Sequence, residues 1–117
     1  PCAVTCVNRL GTLGENIGDL AGLEIAYAVW KISLDGKAAP IIDGLTGDQR
    51  FFLAYARSYR GKVREELARA MLDGDSHAPN RYRVIGVVRN MDAWYAAFNI
   101  QPGDKLYLPP NERVRLW

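Results

Sequence analysis

The chain has 117 residues, 49% of them hydrophobic and 24% charged, enough for one modest core and without the composition of a disordered segment. Fifteen basic against thirteen acidic side chains leave a net charge of +2, too small and too scattered for a nucleic-acid surface, and no apolar run reaches the length of about 18 residues that a membrane span needs. Cys2 and Cys6, with no histidine near them, are thin for a metal site and read as free thiols or a terminal disulfide.

Residues 1–6 give no assignment, and the start at Pro1, with neither an initiator Met nor a leader, predicts a natural N-terminus upstream. Val7-Asn8-Arg9-Leu10-Gly11 reads as a strand end or turn. From Thr12 a helical pattern runs to about Leu34, and Ile17, Leu20, Leu23, Ile25, Ala26, Ala28, Val29, Trp30 and Ile32 cover most of its circumference. Only Glu24, Tyr27 and Lys31 mark a wet side, so the helix is expected to be buried. Glu15 and Asp19 lie one above the other in the sector of Leu23, Ala26 and Trp30. Two desolvated carboxylates cost several kcal/mol each unless cations or strong donors meet them, which predicts something positive facing this turn. An exposed pair that only complements the helix dipole is the other reading, and the wheel leaves both open. Gly14, Gly18 and Gly22 make a stripe without side chains, against which another backbone is expected to pack.

Gly36 and Pro40 end this helix, and Ile41 to Gly44 form a short loop. Thr46 or Asp48 caps a second helix over about 47–59, whose Phe51, Phe52, Ala54, Tyr55, Ala56 and Tyr59 recur at helical spacing as core. A third amphipathic helix is expected over 62–72 through Val63, Leu67, Ala70 and Met71. Residues 73–80 form a polar loop with the only histidine, and 82–88 make a short strand or a helical turn. Asp92 caps a fourth helix over 93–98, Pro102-Gly103-Asp104 is a turn, and the prolines beyond Lys105 bar a further helix. Taken alone, His77 reads as a solvated loop residue and Arg83 as a salt-bridge partner.

The segment Gly14-Glu15-Asn16-Ile17-Gly18-Asp19-Leu20-Ala21-Gly22-Leu23 resembles the Gly-Glu-Asn-Ile-Ala-Asp motif of the neprilysin and endothelin-converting-enzyme family of zinc metallopeptidases, including its bacterial oligopeptidase members, with Gly18 where the family usually has Ala. Leu45 to Phe52 is similar to the family's Thr-x-x-Gln-x-Phe-Phe region, and Asp75-Ser76-His77-Ala78-Pro79 to its Asp-x-His-Ser/Ala-Pro loop. Arg83 follows His77 at the family's spacing, and Pro102 to Leu108 and Arg115-Leu116-Trp117 resemble its C-terminus, so the likeness runs from about Val7 to Trp117. It implies a mainly α chain with little or no strand, the helical C-terminal catalytic subdomain of a gluzincin-type metallopeptidase. Residues 1–117 would be a single domain, a C-terminal fragment that ends naturally at Trp117.

By the same resemblance Glu15 is the third protein ligand of a catalytic Zn2+ and Asp19 holds one of the zinc-bound histidines. His77 donates to the oxyanion on the attacked carbonyl, Asp75 orients that imidazole, and Arg83 grips the substrate backbone. Ser58 and Tyr59, with Tyr55 one turn earlier, stand where the family lines the pocket for the residue after the cut, often with an apolar residue and a Trp. The family needs a His-Glu-x-x-His helix for its other two ligands and its general base. With one histidine in total the chain lacks it. The missing helix is expected upstream, packed on the glycine stripe, and in its absence Glu15 and Asp19 would face solvent or a foreign partner. The implied activity is zinc-dependent endopeptidase or oligopeptidase cleavage on the amino side of an apolar residue, with one Zn2+ per full-length enzyme, neither metal nor activity being kept by this part alone. The implied partners are peptide substrates and the upstream part of the same protein, with no nucleic acid. The implied location is periplasmic or membrane-anchored, although some bacterial members are cytosolic. The rival reading is a helical module that has lost catalysis and only binds peptides or a partner protein.

Overall fold

The computed structural model describes Val7 and residues 10–117, so the readings made on residues 1–6, Asn8 and Arg9, including the state of Cys2 and Cys6, lie outside the described residues. Five α-helices follow one another: α1 (Leu13–Ser33), α2 (Gly47–Ser58), α3 (Glu65–Gly74), α4 (Asn80–Val88) and α5 (Asp92–Phe98), then a 3-10 turn at Pro110–Glu112. The only strand-like pairing among the described residues is an isolated bridge between Ile42 and Leu45. The run 82–88, open between strand and helix in the sequence, is helical, and Pro79 starts it by accepting from the Tyr82 and Arg83 amides.

Local chemistry sets the helix ends. The hydroxyl of Thr46 accepts from the Gln49 amide while the Gln49 side chain accepts from the Thr46 amide, a reciprocal cap that leaves Asp48 for other use. Asp48 instead takes the Tyr27 hydroxyl at 2.5 Å. Asp92 is the first residue of α5 rather than its cap, because its carboxylate is drawn out to Arg113 and Arg115. The third helix begins at Glu65 rather than Lys62, since Arg64 is still extended, and two glutamates then fill the first turn, where the helix dipole favours them. The first helix stops at Ser33, three residues before Gly36, and Asp35 and Gly36 turn the chain in left-handed conformations.

The core is formed by Leu20 and Leu23 of α1, Phe52 of α2, Val87 and Val88 of α4, Met91, and Trp94 and Tyr95 of α5. Here the expected wet side of α1 is corrected. Tyr27 packs on Phe51 and Phe52 at 5.2 and 5.5 Å between ring centres, while Ile25, Val29 and Ile32 are exposed within this chain. A helix apolar on both sides offers no polar sector by which a wheel can be oriented. Leu67 and Met71 of α3, and Val63 just before it, are likewise exposed. No described helix is long and apolar enough to cross a membrane.

Candidate active site

Helices α1 and α4 pack against each other, which sets the second turn of α1 beside the first turn of α4. There Arg83 Nε and Nη2 donate to Asp19 Oδ2 and Oδ1, both at 2.6 Å, a two-pronged ion pair with side chains only 19% and 10% exposed. This is the cation that desolvation of Asp19 demands. The hydrogen bonds to Asp19 push the arginine pKa above its ordinary value, against the opposing effect of burial. Two tyrosines of the α2 end close the pair. The Tyr59 hydroxyl donates to Asp19 Oδ1 at 3.3 Å, its ring lies 5.0 Å from the guanidinium carbon, and the Tyr55 hydroxyl donates to the Arg83 carbonyl at 3.0 Å. Burial, then the neighbouring Tyr59 and Asp19, raise the Tyr55 pKa, so its proton stays available for that bond.

Four residues before Asp19, Glu15 meets the histidine. His77 Nε2 lies 3.0 Å from Glu15 Oε2, and on the other side of the ring Nδ1 lies 2.8 Å from Asp75 Oδ1. The same Asp75 oxygen accepts from the His77 backbone N–H at 2.8 Å, and this bond, followed by the imidazole bond, holds the Asp75 carboxyl below its ordinary range. With Nδ1 against a carboxylate, the ring orientation is fixed and Nε2 is directed at Glu15. Ala78 is buried at 5% and anchors the loop immediately after the imidazole.

The structure thus brings these residues into two neighbouring clusters, Glu15 with His77 and Asp75, and Asp19 with Arg83, Tyr55 and Tyr59, close enough for the Arg83 charge to act on Asp75 and that of Glu15 on Arg83. Ser58 stays outside both, exposed, with its hydroxyl donated to the Tyr55 carbonyl of its own helix. The expectation that Asp19 would open to solvent in this chain is corrected, since Arg83 covers it, whereas Glu15 stays partly open beside His77. Glu15 keeps 45% of its side chain exposed and Asp19 only 10%. Beside them runs an open groove of about 260 Å³ lined by Gly18, Asp19, Gly22, Leu23, Ala26 and Tyr55. A Cβ added at Gly14, Gly18 or Gly22 would meet nothing within 4 Å, so among the described residues no backbone packs on the glycine stripe.

Among the described residues no group of three or more His, Cys, Asp or Glu side chains could hold a metal ion. Both nitrogens of the only histidine already face carboxylates, and Glu15 is the accessible acid that could enter a site completed from elsewhere.

The profile of peptidase family M13 matches residues 1–114. The chain belongs to peptidase family M13. Within the family it is 37% identical over 114 residues to human membrane metallo-endopeptidase-like 1 and 35% identical over 115 residues to human neprilysin, each alignment covering 95% of this chain. Those stretches are 14% and 15% of the two relatives, so the chain spans about a seventh of their length. Among solved structures, the zinc metalloprotease ZMP1 of Mycobacterium tuberculosis in its open state superposes with a TM-score of 0.92 at 50% identity, covering 95% of this chain and 17% of that one. The helical, strand-poor M13 subdomain expected from the sequence is thereby established.

Sequence reasoning missed two features of this region. It treated the Tyr55 and Tyr59 side chains as a pocket wall and overlooked their hydroxyls, although a four-residue spacing on a helix puts both on one face. It also missed the clamp of Arg113 and Arg115 on Asp92, for which a carboxylate at the head of α5 and two arginines in the tail were the only signals.

Proposed function

We propose that this chain is the C-terminal part of the catalytic domain of a zinc-dependent metallopeptidase, hydrolysing peptide bonds when joined to the upstream part of the same protein. The observation that carries the reading is the joining of Glu15, His77 and Asp75 on one side of α1 with Asp19 and Arg83 one turn further on. Glu15 would be the ligand that this chain gives to one Zn2+, and Asp19 would hold a histidine ligand supplied from upstream while remaining tied to Arg83. The bound metal would supply Lewis-acid polarisation of the scissile carbonyl and a water of lowered pKa.

The chain's own residues do the rest. His77, steered by Asp75, donates to the oxygen on which negative charge develops from the Nε2 that meets Glu15 in this chain, a preorganised donor of the kind whose removal costs about 3 kcal/mol in acyl-transfer chemistry. Asp19 occupies two of the five Arg83 N–H groups, and the remainder can meet a substrate carbonyl beside the cut. Tyr59, Tyr55 and Ser58 flank the subsite for the residue after the scissile bond, for which large apolar side chains are the expected preference. The exposed Ile25, Val29 and Ile32 and the uncovered glycine stripe support an upstream helix seated on α1. The name of the membrane metallo-endopeptidase relative supports a membrane-associated site of action.

The test is Glu15→Gln in the complete protein, with bound zinc and peptide cleavage measured together. Zinc affinity is expected to fall by at least about 100-fold, cleavage with it, and thermal stability of the zinc-free form to change little. Retention of both metal and rate would remove Glu15 from the site, and absence of zinc and cleavage in the unsubstituted protein would favour the peptide-binding module instead.

A further inference from the structure

A tyrosine that only fills space needs its ring and not its hydroxyl, because a half-buried hydroxyl costs free energy unless it finds a partner. Tyr55 and Tyr59, one turn apart at the end of α2, pack ring edge to ring face at 5.2 Å, which phenylalanines would do as well. Their hydroxyls, however, bond the two members of one ion pair, Tyr55 reaching Arg83 of α4 and Tyr59 reaching Asp19 of α1. Tyr55 bonds the Arg83 carbonyl at 3.0 Å, and Tyr59 bonds the Asp19 oxygen that Arg83 Nη2 also bonds, at 3.3 Å, with its ring face toward the guanidinium. The Asn80 side chain adds a bond to the Tyr59 carbonyl at 3.0 Å, tying the first turn of α4 to the end of α2. Arg83 is therefore held at its main chain, at its guanidinium face and through its counter-ion.

We infer that Tyr55 and Tyr59 are positioning residues whose hydroxyls fix the Arg83 guanidinium in the orientation from which it binds a peptide carbonyl, rather than only walls of a pocket. The inference rests on the peptidase reading for its kinetic consequence, but the anchoring itself does not. An arginine carries several rotatable bonds, so each bond that restrains it removes ordering that substrate binding would otherwise have to supply.

The experiment compares the complete protein with its Tyr55→Phe/Tyr59→Phe variant, which keeps both rings. The kcat/KM for peptide cleavage is expected to fall about 10-fold, mainly through KM, as for other partners that orient a contact residue from behind. In an Arg83→Lys background, where the two-pronged pair is gone, the same double substitution is expected to add almost nothing. A second readout needs no activity: modification of Arg83 by an arginine-specific dicarbonyl, followed by mass spectrometry, is expected to be several-fold faster in the double variant. Equal losses of kcat/KM in both backgrounds, or an unchanged rate of Arg83 modification, would overturn the inference. If the parent protein shows no zinc-dependent cleavage the proposed function fails, while the dicarbonyl measurement still decides whether the tyrosines anchor Arg83.

Discussion

The two sides of α1 meet different surroundings. Toward α2, Tyr27 and Trp30 join Phe51 and Phe52 in a closed aromatic stack, with Leu20 and Leu23 buried beneath. On the other side Gly14, Gly18 and Gly22 and the exposed Ile25, Val29 and Ile32 lie open, and the acids there are met by side chains from the α4 region. The closed side is held by area and shape, which the chain supplies for itself. The open side is held by a few directed polar bonds and carries the groups suited to chemistry, so stability and function divide along the axis of one helix.

The largest test of this division is Phe52→Ala, at a ring only 2% exposed. It should lower the unfolding free energy by about 3–5 kcal/mol in denaturant titration, with zinc binding per folded molecule unchanged. A cost below about 1 kcal/mol would mean that the aromatic stack is not the stabilising side.

His77→Asn on the open side should do the reverse. Cleavage by the complete protein should drop by about 100-fold in kcat, with KM and melting temperature nearly as before, because the imidazole acts where charge develops and is itself 41% exposed. If KM alone moved, His77 would be a substrate contact and not a donor to the oxyanion.

The smallest effect belongs to the tail. Hydrogen bonds from Arg115 and Arg113 hold the Asp92 carboxyl below its ordinary range. A depressed folded-state pKa contributes stability that is present above the ordinary carboxylate value and is lost as pH falls through the folded value. Asp92→Asn should therefore destabilise by less than about 1 kcal/mol at pH 7, since the carboxylate is 63% exposed, and the gap from the parent protein should close below about pH 4. A gap that widened in acid would contradict the pairing.

Much of this was legible beforehand, for definable reasons. The helix of residues 13–33, a cap at Thr46, one of the two residues offered for it, and the aromatic face of α2 are local matters of period and hydrogen-bond chemistry. The clustering of Glu15, Asp19, Asp75, His77 and Arg83 was reachable only through family resemblance, because nothing in the spacing of Asp19 and Arg83, 64 residues apart, states that they touch. The orientation of α1 was misjudged for the opposite reason, since Tyr27 and Glu24 looked polar by residue type while their neighbours decide their burial. Glu24 is half-buried, and desolvation raises its carboxyl pKa even with Arg115 nearby.

By itself the sequence determined which segments coil, where they stop and which residue types are available for metal and carbonyl chemistry, because those properties depend on neighbours within a few residues. Tertiary packing decided which side of α1 is closed, which cation answers which carboxylate, and that one tyrosine hydroxyl reaches Arg83 while another reaches its counter-ion Asp19. Such pairings depend on how helices cross, and crossing is set by the summed contacts of whole faces rather than by any local pattern.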